Sequence, residues 1–260
     1  MLKLYKDLLS LYWAGIAVLI ALVMYLVWHH SDALLLILLG GWVLVFAWCY
    51  FLAFIGSRRL GAVLGLLNGC RVQEAARQYV RLLPRAKGST LTLIRLNLSA
   101  CYLEAGEPRK ALETLEAMPP MPETKRWALP RMCREVNLAG GLRMLDRLDE
   151  ADAALERAAA SMAQVPERLL ARNDFRYAYG AQVTVQKMTR GDFEGAVPFY
   201  TKKLAEAAPL RKQVAAHYDL AWALTHEGRL DEAREHLRFA AENGGDTWYA
   251  AAARKKLETM

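Results

Sequence analysis

The chain has 260 residues and a formal net charge of +7, room for one large domain or for an anchor plus a domain. Its 54% hydrophobic content is high for a water-soluble protein, but the excess sits at the N-terminus. Cys49, Cys70, Cys101 and Cys133 lie far apart with no C-x-x-C pair, a pattern that carries no zinc, dithiol-redox or disulfide-framework signature.

From Leu8 to Ile55 the only acidic, basic or histidine residues are His29, His30 and Asp32. Leu8 to Trp28 is a run of 21 residues, and as a helix at about 1.5 Å per residue it matches the hydrocarbon thickness of a bilayer. Ala33 to Ile55 is a second run of 23 residues, and only four residues, His29 to Asp32, join the two. So short a link makes the helices antiparallel neighbours, and residues 1–57 are expected to be a transmembrane hairpin. Tyr12, Trp13 and Trp28 fall near the ends of the first span, where amphipathic rings prefer the interface. A cleaved leader fits less well, because no A-x-A-like site follows the first run and a second begins at once. Lys3 and Lys6 precede the first span, Arg58 and Arg59 follow the second, and the link has neither Lys nor Arg. Positive flanks stay cytosolic, so both termini are expected on that side of a plasma membrane.

Residues 58–91 read as a degenerate helical pair, Ala62-Val63-x-x-Leu66 followed by Ala75-x-x-x-Tyr79. Gly69, six before Ala75, is its expected turn, and Gly61-x-x-x-Gly65 suggests close packing inside the pair. The whole net charge lies here: residues 56–95 carry eight basic residues against Glu74, while the stretches on either side are neutral. Arg58, Arg59, Arg71, Arg77, Arg81 and Arg85 are therefore candidate contacts for anionic lipid headgroups, at about 1 kcal/mol per well-placed side chain. Topology alone needs only Arg58 and Arg59, and no aromatics interleave the arginines as nucleic-acid binding would ask.

Residues 92–245 repeat themselves. Aligned on Ala111, Ala151, Ala196 and Ala233, each unit has a large residue nine before the alanine (Tyr102, Leu142, Lys187, Leu224) and another four after it (Leu115, Leu155, Tyr200, Leu237). A turn residue stands five before: Gly106, Asp146, Gly191 and Gly228. Glycine takes the left-handed conformation that ends one helix, and a small residue lets the second helix approach closely. Hairpins of this kind leave apolar faces at both ends and must stack. The pattern resembles the tetratricopeptide repeat family, and it resembles the bacterial inner-membrane members that carry an anchor. The departures are that Arg95, Glu135, Gly180 and His217 stand where the family has Trp, and that the alanines, counted from Ala75, are spaced 36, 40, 45 and 37 residues apart against a period of about 34. Pro119, Pro120, Pro122 and Pro130 read as a stiff connector, Pro166 as a helix restart running to Thr189, and Pro198, beside Gly195, as a kink or delay in the second helix of its unit. Asn243-Gly244-Gly245 stops the array, and Asp246 or Thr247 can cap a last helix through Lys256 that covers the final hairpin. The expected fold is all-α: a membrane hairpin over 1–57, the pair at 58–91, four repeat-like units over 92–245 and a capping helix over 246–260.

No catalytic grouping or phosphate loop stands out, and His217, His226 and His236 do not share one helix face as metal ligands would. No catalytic residue, metal, cofactor, nucleic acid or small-molecule substrate is expected. The resemblance implies a concave face built by the first helix of each unit. Carrying its inward offsets across gives Leu93, Leu96, Ala100, Leu103, Glu104, Ala181, Val185, Met188, Tyr218, Trp222 and Thr225, a mostly apolar groove suited to a helix or extended segment of a protein partner. The resulting expectation is a membrane-tethered scaffold. The other reading is an accessory subunit of a membrane enzyme or transport complex, with the hairpin making the main contacts.

Overall fold

The first helix that can be followed throughout, α1, is also the longest: Ala33–Asn68, 36 residues. In the computed structural model the described residues are 15, 17, 18, 20, 21, 24, 25, 33–172, 175–206 and 208–260. The first expected span and its four-residue link lie outside them, apart from a few helical positions. The second expected span falls within α1, which continues without a break through Gly56–Arg59 to Asn68. Gly40–Asn68 is long and apolar enough to cross a membrane, and Trp42, Leu44, Phe46, Trp48 and Phe51 on it are exposed. Two compact units divide the chain, Met1–Gly61 and Ala62–Met260. Among the described residues every regular element is helical.

Within the second unit the end of α1 is followed by α2 (Val72–Leu82), α3 (Gly88–Glu104), α4 (Pro108–Glu116), α5 (Ala128–Met144) and α6 (Leu148–Met162). Then come the short α7 (Glu167–Arg172), α8 (Phe175–Thr189), α9 (Ala196–Leu204), α10 (Leu210–His226), α11 (Leu230–Asn243) and α12 (Trp248–Thr259). The hairpins α3–α4, α5–α6, α8–α9 and α10–α11 follow the repeats read from the sequence.

All of them turn in one way. The N–H groups of Glu107, Arg147, Asp192 and Arg229 donate to the carbonyls of Tyr102, Leu142, Lys187 and Leu224, five residues back, at 2.8–3.0 Å. Between each pair one residue is left-handed: Gly106 (φ +76°), Asp146 (+60°), Gly191 (+88°) and Gly228 (+76°). This is the closing geometry of a helix that satisfies its last carbonyls. The first hairpin obeys the same rule, which corrects the expected longer turn at Gly69. Its left-handed residue is Cys70 (φ +61°), five before Ala75, and Arg71 N–H donates to the Leu66 carbonyl at 3.0 Å. The alanines that follow are buried, Ala75, Ala111, Ala151 and Ala233 at 0% exposure and Ala196 at 1%. One turn later Tyr79, Leu115, Leu155, Tyr200 and Leu237 are buried as well. Asp146 is exposed and non-glycine, so Asp146→Gly should raise stability by roughly 1 kcal/mol by removing left-handed strain. Urea denaturation checks this, and no change or a loss would mean the carboxylate offsets the strain.

The prolines act as start signals more than as breakers. Pro130 is in the first turn of α5, so the extended connector ends before it, and the turn Lys125–Trp127 leads into that helix. The first turn has no intrahelical partner for its N–H groups, and proline loses nothing there. Pro198 is likewise in the first turn of α9, which starts at Ala196 itself, whereas α4, α6 and α11 start three residues before their alanine. The Gly61/Gly65 expectation is corrected: among the described residues a Cβ at either position would meet nothing within 4 Å, so the first hairpin makes no close packing there. Where the family has Trp, Glu135 pairs with Arg157 at 2.8 Å and His217 stacks on Phe239 with ring centroids 3.9 Å apart.

The array does not end open. Thr247 caps α12, its hydroxyl accepting from Ala250 N–H, and Asp246 serves a helix 174 residues earlier in the chain. Its two carboxylate oxygens accept from Val72 N–H (2.6 Å) and Gln73 N–H (3.0 Å), at the start of α2, and its own N–H donates to the Cys70 carbonyl (3.2 Å). Cys70 is buried in the same cluster as Tyr218, Leu224, Leu237 and Ala253 of the last helices. A second closure lies further in, where Arg211 on α10 donates to Glu104 on α3. The unit 62–260 is therefore a ring of hairpins, with the turn before α12 returning to the first hairpin.

Candidate functional site

The ring closes around a cavity of about 190 Å³. Its wall is contributed by α3, α5, α8 and α10 and by the start of α12. Of the expected groove residues, Ala100, Leu103, Glu104, Ala181 and Val185 line it. The others are placed elsewhere. Leu96 and Met188 are buried in the core, Leu93 is half-buried, and Thr225 is exposed with its hydroxyl donating to the Ala221 carbonyl. Tyr218 and Trp222 lie under α12: Trp248 and Tyr249 meet the Tyr218 ring at 5.3 and 5.5 Å, and Lys256 sits over both rings at 5.0 and 5.8 Å.

Two features correct the expected apolar groove. The first is size: a helix is about 10–12 Å across with its side chains, and a cavity of about 190 Å³ holds no such element. The second is charge. Glu104, Arg143, Arg211, Lys212 and Asp219 all line the wall. Only Glu104 was reached from the sequence, because the others become neighbours through the ring closure. Arg211 donates to Glu104 Oε1, and Glu104 Oε2 and Arg211 Nε are buried with no hydrogen-bond partner among the described residues. Arg143 reaches Gln182 Oε1 at 3.4 Å, and Asn137 is held by the Leu96 carbonyl (3.0 Å) and the Ser99 hydroxyl (2.9 Å).

Asp219 is 6% exposed. Burial pushes its carboxyl up to about 7, against the opposing pull of Arg143 and of a hydrogen bond from Tyr200. A folded-state value above the unfolded one means that the folded protein binds more protons between them. Stability from this group is full below about pH 4 and is lost as pH rises through about 7. His217 acts in the opposite sense, since burial and then His236, whose Nδ1 lies 2.7 Å away, push it down to about 4. The variant Asp219→Asn isolates the carboxylate: relative to the parent it should gain stability as pH rises, by up to about 3 kcal/mol between about pH 5 and pH 8. Urea titrations at the two pH values check this, and parallel pH profiles would mean that Asp219 is not held in the cavity wall.

The basic residues named from the sequence lie on α1, α2 and the turns on either side of α2. Arg58, Arg59, Arg71, Arg77, Arg81 and Arg85 are exposed. Arg71 pairs with Glu74. Arg77 and Arg81 border a surface groove with the half-buried Tyr102, the exposed Val80, and Lys110. Among the described residues no three His, Cys, Asp or Glu side chains come together as a metal site would require, although the ring does place His217 against His236.

Residues 214–238, the greater part of the α10–α11 hairpin, match the family model of the tetratricopeptide repeat. The matched hairpin has the same left-handed turn, buried alanine and large residue one turn on as the units at Ala75, Ala111, Ala151 and Ala196. Repeats of this type are as a rule protein-interaction modules without catalysis. No curated protein and no solved structure matches the chain.

Proposed function

We propose that the chain is a membrane-tethered scaffold of tetratricopeptide-like hairpins that holds a protein partner at the cytosolic face of a bacterial inner membrane. The observation that carries this reading is the pairing of two units in one chain: a ring of repeat hairpins, and a helix of 36 residues on which Trp42, Leu44, Val45, Phe46, Trp48 and Phe51 stand exposed. Exposed apolar surface of that extent needs lipid or protein to cover it. Because the concave face closes to a small cavity, the partner meets the outer faces of the ring. The expected topology, with two spans and both termini cytosolic, rests on Lys3, Lys6, Arg58 and Arg59. A reporter fused after Met260 should be active only in the cytosol, and activity on the other side would overturn the orientation.

The exposed arginines support a second contact, with anionic headgroups. In this reading Arg77, Arg81 and Arg85, with Arg58, Arg59 and Arg71, rest against the membrane surface. Residues 62–260 should then bind anionic vesicles weakly, with an upper bound of about 3–4 kcal/mol from a few contacts, and neutral vesicles not at all. Changing Arg77, Arg81 and Arg85 together to Gln should abolish vesicle flotation and leave the melting curve unchanged; flotation equal to the parent would refute the contact.

One feature favours the accessory-subunit reading. Among the described residues nothing meets the Gly61/Gly65 face, and such a face admits the close approach of a helix from another protein. Cross-links formed only from α1, with none from the ring, would select it.

A further inference from the structure

The cavity at the centre of the ring has no part in the scaffold role. We propose that it binds a small zwitterion, a free α-amino acid with a short neutral side chain.

The balance of charge on the wall sets the charge of the ligand. Glu104 and Arg211 are bound to each other and cancel. Glu104 Oε2 and Arg211 Nε are left without partners, one acceptor and one donor, so this pair favours neither sign. Lys212, also on the wall, has an interaction of its own. What remains is one cation, Arg143, and one anion, Asp219. Among the described residues neither is in an ion pair, with the other or with a third side chain. Arg143 holds only Gln182 Oε1, at 3.4 Å, a contact long enough to yield to a better acceptor. Asp219 is 6% exposed and accepts from Tyr200.

A ligand with one charge fits this wall badly. An anion at Arg143 would bring a like charge towards Asp219, and a cation at Asp219 would do the same to Arg143. A ligand with both charges answers both. Its carboxylate takes the guanidinium fork of Arg143, and its ammonium donates to the Asp219 carboxylate.

The rest of the wall sets the side chain. At about 190 Å³ the cavity is somewhat larger than the engineered cavities of about 150 Å³ that hold benzene, so it has room for roughly six to nine non-hydrogen atoms. Alanine, valine and leucine fall in that range, whereas aromatic amino acids and peptides are too large. Leu103, Val136, Ala181, Val185 and Trp248 supply an apolar surface for the side chain.

Placement gives the site a consequence. Arg143 is on α5 and Asp219 on α10, so one ligand ties two hairpins of the ring together. Such a ligand binds the closed ring better than an open one and stabilises closure.

The test titrates the full chain in detergent with L-alanine, L-valine and L-leucine, followed by calorimetry and thermal melting. Each amino acid is compared with its two halves: the acid that lacks the amino group and the amine that lacks the carboxylate. For valine these are 3-methylbutanoate and 2-methylpropan-1-amine. At least one amino acid should bind with millimolar affinity or better and raise the melting temperature. Either half should bind at least about tenfold more weakly, as loss of a hydrogen bond between charged groups requires. Arg143→Gln should weaken the amino acid to the level of the amine, and Asp219→Asn should weaken it to the level of the acid. If no amino acid binds, or if either half binds as tightly as the whole, the inference is wrong. It is equally wrong if both variants melt as the parent does and keep its affinity.

Discussion

Gly245→Val should lower the stability of the ring by about 3–5 kcal/mol. Three costs coincide at this residue. Gly245 has φ +55°, where a β-branched side chain is strained. A Cβ there would overlap the Cys70 carbonyl oxygen and crowd the Cys70 side chain. That oxygen is backbone of the first hairpin's turn, so it moves only if the ring opens. Opening then removes the Asp246 carboxylate from Val72 N–H and Gln73 N–H, a capping contact worth about 0.5–2 kcal/mol. Asp246→Ala should show that last component alone. Chemical denaturation gives the magnitudes, and hydrogen exchange at the Val72 amide should quicken in both variants. Parental stability and exchange in Gly245→Val would mean that the two ends of the array do not meet.

Ala111→Trp and Ala233→Trp should each cost at least about 1–3 kcal/mol. Both alanines are 0% exposed and sit where the two helices of a hairpin come closest. Ala111 lies one turn from Leu115, and Ala233 one turn from Leu237, which is in one cluster with Tyr218 and Leu224. An indole has no space at either site unless the hairpin spreads, and spreading disturbs the neighbours stacked on it. Melting curves of the two variants at the parent's temperature would place these alanines on the surface and break the register on which every unit was aligned.

Local geometry was the most legible part of the sequence. The turn residue five before each buried alanine, the large residue one turn after it and the capping helix can be read because they obey short-range rules: a left-handed residue ends a helix, and a small one permits close approach. Cys70 shows the limit of that reading. Glycine is the usual signal for a left-handed turn, so Gly69 looked like the turn, yet the spacing rule overrode the residue preference and Cys70 took the conformation.

The ring closure was not legible, for a different reason. Asp246 is next to the first residues of α12, and any local rule assigns it to that helix. Its actual partners are 174 and 173 residues away, at the start of α2. Glu104 and Arg211 are 107 residues apart. The charged wall of the cavity follows from these long-range contacts, which is why family offsets gave an apolar groove. The same offsets placed Tyr218 and Trp222 in the open, because they hold for an array whose last helix leaves the concave face free. Here α12 covers it.

The scaffold reading turns on whether the ring captures a partner by itself. Cross-linking in intact membranes, followed by recovery of the full chain and, separately, of residues 62–260, measures this directly. The account predicts that the same partner protein is recovered with both forms, with cross-links from the outer faces of the ring and a lower yield without the anchor. Recovery of that partner with the full chain alone, through cross-links from α1, would contradict it and leave α1 as the part that recognises.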